Sequence, residues 1–163
     1  VRAETDNIAL IVIGGVDEDI RKYRDMAIRL GVYSVVYFLG AQPVEELGQY
    51  MSQADILISP RTQGVYTPMK IYSYLDSGVP VLATDLPTHT QVMNNRIAML
   101  TPPEKNAFAQ AMLKLIRDEA LCNDLANQSK KFIEKEHSYT SFKATVHSLY
   151  DGLEQEIHGE SIQ

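Results

Sequence analysis

Five short apolar runs are spread through the first hundred residues: IALIVI (8–13), VVYFL (35–39), DILIS (55–59), VPVLAT (79–84) and IAML (97–100). Each is continuous rather than alternating, the pattern of a strand covered on both faces. Helical patterns lie between them. From Asp17 to Gly31, the residues Ile20, Tyr23, Ala27 and Leu30 recur on one face, Asp17, Glu18 and Asp19 fill the first turn, and Gly31 supplies a stop. A second helix opens at Pro43, turns Val44, Leu47 and Met51 inward, carries Glu45 and Glu46 in its first turn, and is weakened by Gly48. Strand and helix in alternation predict an α/β fold with an open, doubly wound parallel sheet and right-handed crossovers.

Beyond residue 103 the pattern is helical only. Phe108, Met112 and Leu115 form one stripe, and Tyr139, Phe142, Val146, Leu149, Leu153 and Ile157 form another. This predicts a helical C-terminal tail, packed on the sheet or laid against a partner, whose last residues, HGESIQ, fray.

Composition narrows the function classes. The 163 residues make one domain, and 15 basic against 21 acidic side chains leave a net charge of −6. No whole-molecule field attracts nucleic acid, so none is expected as a partner. The one cysteine, Cys122, reads as a small packing residue in a helix and fits a reducing, cytoplasmic setting. No apolar stretch is long enough to span a membrane. The opening VRAETDN is not a signal peptide and has no Met, which points to a processed protein, a fragment or a missing beginning.

Candidate chemistry concentrates after the third run, in SPRTQGVYTPMKIYSYLDSGVPVLATD (59–85). Thr67 and Pro68 read as the cap and first position of a helix, with Lys70 in its first turn. A cation there opposes the helix dipole by a few tenths of a kcal/mol, so something anionic is expected in front of it. Gly64 permits a sharp turn or close approach to a ligand, and Arg61 reaches the same volume as Lys70. Together they describe a diphosphate site; the plainer reading is a capped helix with two solvated basic side chains. Tyr66 and Tyr72 flank this region. His89, in PTHTQ, is the only histidine at a predicted strand end and reads either as a site residue or as a loop or cap residue. Gly14-Gly15 is not a dinucleotide fingerprint, no P-loop exists, and His89, His137, His147 and His158 show no metal-ligand spacing, so neither metal nor cofactor is expected.

In this order the segments LIVIGG, VYFLG, QADILISPR and TPMKIYSYLDSGVPVLATD resemble the C-terminal, nucleotide-sugar-binding half of a GT-B glycosyltransferase of the family-4, group 1 type. The block from Pro60 to Asp85 is the most specific part. The resemblance implies a Rossmann-like domain facing an acceptor domain, a UDP- or GDP-sugar as ligand, transfer with retention, and no obligatory metal. It places Gly40, Ala41 and Gln42 near the base and Thr67 and Lys70 at the diphosphate. The full-length protein would be a cytoplasmic enzyme, or peripheral to the membrane.

Two departures from that family pattern bear on function. Its two glutamates, eight residues apart, fall here on Val65 and Ser73, so only a hydroxyl is left to meet a ribose. The resemblance implies that the family's opening strand and the N-terminal acceptor domain precede this chain. The gap left in the sheet is expected to close, giving the order 2-1-3-4-5, or to be filled by another chain in a homodimer. Three readings follow: the donor half of a transferase, without turnover by itself; a non-catalytic nucleotide-sugar or scaffold module; or a GT-B sugar-nucleotide epimerase, which needs carboxylates not found here.

Overall fold

The computed structural model describes residues 1–159. All five expected strands form, as β1 (Leu10–Ile13), β2 (Val36–Gly40), β3 (Leu57–Ser59), β4 (Val81–Thr84) and β5 (Met99–Thr101). Every pairing is parallel. The helices are α1 (Asp17–Arg29), α2 (Leu47–Ser52), α3 (Lys70–Asp76), α4 (Pro87–Thr90), α5 (Lys105–Arg117), α6 (Glu119–Glu136) and α7 (Tyr139–Gly159). The molecule is therefore α/β with a helical tail. No helix among the described residues is long and apolar enough to cross a membrane. Of the HGESIQ segment expected to fray, His158 and Gly159 belong to α7 and 160–163 lie outside the described residues.

The sheet order departs from expectation. β1 pairs only with β2, and β3, β4 and β5 form a second sheet in that order. The expected closure of β1 onto β3 does not occur among the described residues. The physical reason lies in where the core sits. Both faces of the β3–β5 sheet are covered, by Ile71, Leu75, Met93 and Ile133 on one side and by Leu115 and Leu125 on the other. β4, in the middle, is buried throughout. The β1–β2 pair has no such cover, and Leu10, Ile11, Tyr37 and Leu39 remain exposed. Its apolar runs thus look like doubly buried strands without being buried.

The helix faces follow the same division. On α1 only Ala27 of the expected inward set is buried, while Tyr23 and Leu30 face solvent. The second expected helix breaks into a 3₁₀ turn at Val44–Glu46 followed by the short α2. Glu45 and Glu46 lie in the turn, and Val44 points outward. Phe108, Met112 and Leu115 do pack inward, as does the half-buried Cys122, whose thiol donates to the Leu115 carbonyl at 3.1 Å. The α7 stripe does not: Tyr139, Phe142, Leu149 and Leu153 are exposed.

Candidate functional site

β3 ends at Ser59, and the chain then crosses residues 60–69 without regular structure before α3 starts at Lys70. Thr67 does not cap α3 as expected. The amides of Ile71 and Tyr72 bond the carbonyls of Pro68 and Met69, a tight 3₁₀-type entry that makes Met69 the residue before the helix. Pro68 accordingly lies ahead of the first helical position. The Thr67 hydroxyl is left buried and without a hydrogen-bond partner, which is costly unless water or a ligand reaches it.

Arg61 and Gly64 lie against each other, and the charge of Arg61 is felt at Lys70. A side chain at Gly64 would place its Cβ 3.2 Å from Arg61 Nη1 and 3.5 Å from the Thr88 hydroxyl, and the φ of +132° is unfavourable for any L-residue. Lys70 is solvent-exposed by area. Even so, the surrounding protein and the charge of Arg61 hold its ammonium below the ordinary lysine range. Its Nζ lies 5.3 Å from the centre of the Tyr74 ring, one turn along. Among the described residues neither Arg61 nor Lys70 forms an ion pair. Two cations that feel each other's charge and have no ion-pair partner among the described residues favour an anion nearby.

Behind them is a buried polar cluster. His89 is fully buried in α4, with Nδ1 2.8 Å from the Thr84 carbonyl and Nε2 2.9 Å from the Ser59 hydroxyl. The carbonyl can only accept, so Nδ1 carries the proton and Nε2 accepts from Ser59. Burial lowers the pKa of this imidazole, the Thr84 bond works against that, and the charges of Arg61 and Lys70 lower it further. His89 is thus a neutral tie between the carboxyl ends of β3 and β4. Thr88, beside it, donates to the Tyr66 carbonyl at 2.7 Å and lies 3.4 Å from Arg61 Nη1. The Gln91 amide donates to the Val65 carbonyl. Thr88 and Gln91 were not among the residues singled out from sequence; their signal was their place in PTHTQ, next to a strand end.

The remaining candidates have other immediate neighbours. Ser73 lines an open groove of about 450 Å³ with Met69, Tyr72, Asp76, Ile133 and His137. Tyr72 stacks edge-on against His137 and packs against the core, whereas Tyr66 and Val65 are exposed. Gly40 and Gln42 are at the end of β2. Gly40 accepts from the Gly14 amide at 2.6 Å, and Gln42 bonds the Leu39 carbonyl and faces Tyr50. They belong to the other sheet.

Comparison with known proteins agrees with this architecture. A solved structure of sucrose-phosphate synthase from Thermosynechococcus elongatus superposes with a TM-score of 0.76 at 21% identity, over 88% of this chain and 38% of that one. HepE from Anabaena, solved in complex with UDP-glucose, gives 0.77 at 19% identity, over 90% and 42%. Among curated proteins, an exopolysaccharide phosphotransferase of Streptomyces coelicolor is 27% identical over 138 residues, 82% of this chain and 14% of that protein. The chain thus spans less than half the length of these relatives. Residues 1–118 match the family model described as glycosyl transferases group 1. The chain belongs to the group 1 glycosyl transferases.

Proposed function

We propose that this chain is the donor-binding part of a group 1 glycosyl transferase, holding a UDP- or GDP-sugar while its sugar passes to an acceptor bound by another part of the protein. The observation that carries the reading is that the charge of Arg61 is felt at the Lys70 ammonium while, among the described residues, neither cation has an ion-pair partner. Breaking the bond between the anomeric carbon and the diphosphate leaves negative charge on the departing oxygens. Fixed positive groups in a partly desolvated site stabilise that charge. The unpartnered Thr67 hydroxyl adds a donor in the same loop. Ser73 offers a single hydroxyl to the ribose, and Gly40 and Gln42 meet the base from the β2 end. Transfer proceeds with retention and without an obligatory metal in this reading. That HepE was solved with UDP-glucose favours a uridine donor.

A thermal-shift panel of UDP, GDP, ADP and their sugars tests this on the wild type and on Lys70→Ala. Ligand at a hundred times its dissociation constant adds about 2.7 kcal/mol, a rise of roughly 5–10 °C at this size. The expected result is a rise with one base that Lys70→Ala abolishes. Equal rises in both proteins would remove Lys70 from the site.

A further inference from the structure

Arg61 sits in a loop that owes little to its own backbone. Of the contacts that hold residues 61–66, three come from the short turn after β4: Thr88 to the Tyr66 carbonyl, Gln91 to the Val65 carbonyl, and Arg61 to Thr88. That turn is itself fixed from below, because His89 is tied to the ends of both β3 and β4. The Thr88 hydroxyl has one proton and gives it to Tyr66, so its lone pairs are left for the guanidinium. Thr88 is buried and cannot drift. A long, flexible arginine thereby has a fixed acceptor 3.4 Å from one of its nitrogens, and among the described residues no ion pair engages its fork.

We infer that Thr88, supported by His89 and Gln91, is a positioning residue that aims the Arg61 guanidinium and sets the loop for a phosphate-bearing ligand. None of the three is assigned to touch the ligand. Gly64 is the complement of this device, since any side chain there would meet both Arg61 and Thr88. The inference rests on the anion-site reading above and adds to it a part that acts through another residue.

The test is a double-mutant cycle read by calorimetric titration of the whole chain with two probes, inorganic pyrophosphate and UDP-glucose. The proteins are the wild type, Thr88→Val, Thr88→Ser, Arg61→Ala and the Thr88→Val/Arg61→Ala pair. Thr88→Val should weaken pyrophosphate about tenfold, the scale of one hydrogen bond to a charged group. Thr88→Ser should restore binding to within about twofold, and Thr88→Val should add nothing once Arg61 is gone. A purely structural role would give independent, additive losses, and that outcome overturns the inference. Gln91→Leu guards against a Thr88→Val protein that fails to fold. Gln91 is exposed, so its loss spares the core, and about threefold weaker pyrophosphate binding is expected; unchanged binding counts against the inference. If pyrophosphate binds and obeys the cycle while UDP-glucose does not bind, the donor reading fails and the positioning role stands. A wild type that binds no pyrophosphate sinks the positioning role itself.

Discussion

The Ser59 hydroxyl and His89 Nε2 lie 2.9 Å apart, both fully buried and 30 residues apart in the chain. This bond joins the third strand to the turn after the fourth at the edge of the proposed anion site. It also makes the fold sensitive to acid. The His89 pKa is lowered from 6.5 in the folded chain, so the unfolded chain takes up its proton first as pH falls. The stability linked to a neutral His89 is complete above 6.5 and is lost as pH drops through the folded value. Urea titrations between about pH 4 and 8 should show this loss in the wild type and a flatter profile in His89→Leu. His89→Leu should also cost about 1–3 kcal/mol at neutral pH, because the Ser59 hydroxyl and Thr84 carbonyl lose their partner. Parallel pH profiles would mean that other groups carry the acid response.

Lys70 presents the opposite balance. Its ammonium is held below 10.5 by loss of water to the surrounding protein and by Arg61, so the unfolded chain keeps this proton at pH values where the folded chain releases it. Below the folded value the charge therefore weighs against folding, and stability rises with pH through the window beneath 10.5. The Tyr74 ring offsets part of that cost. Lys70→Gln should melt at the wild-type temperature or up to about 3 °C above it, with the difference shrinking in alkaline buffer. It should also lose the nucleotide-induced shift. A melting point several degrees below wild type would show that Lys70 supports the fold rather than a ligand.

The five strands and the helical tail were legible because apolar runs between turn signals are a local property. How the strands share neighbours is not local. IALIVI and VPVLAT look alike as text, yet β4 is buried throughout and Leu10 and Ile11 of β1 are exposed. The difference comes from helices α3, α5 and α6, which cover one sheet and not the other. At the proposed anion site, Arg61, Gly64 and Lys70 were visible because their chemistry is carried by residue type. Thr67 was misassigned as a cap because a Thr-Pro pair also fits a tight turn just before a helix. Thr88 was missed because its importance lies in two contacts, with residues 22 and 27 positions away.

The split sheet predicts unequal stability. Leu82 on β4 is 0% exposed, so Leu82→Ala should cost about 2–5 kcal/mol. Ile11 on β1 is 48% exposed, and Ile11→Ala should stay within about 1 kcal/mol of the wild type. Hydrogen exchange should show the same order, with β1 and β2 amides exchanging by local opening well before those of β4. Equal protection across both sheets would contradict the division.

The last prediction concerns what the uncovered surfaces do in solution. Among the described residues, β1 and β3 each have a partner on one edge only, and unpaired parallel edges beside exposed Ile11 and Leu10 invite another strand. α7 adds exposed Phe142, Leu149 and Leu153. The net charge of −6 opposes association but acts over about 8 Å at physiological salt, too short a range to shield a contact already made. Light scattering should therefore show the chain self-associating as its concentration rises toward roughly 100 µM. Ile11→Lys puts a charge on the exposed face of β1 and should reduce this association more than Phe142→Lys if pairing runs through the sheet. The reverse order would place the contact on α7, and a strict monomer at every concentration would show that neither surface is sticky enough to matter.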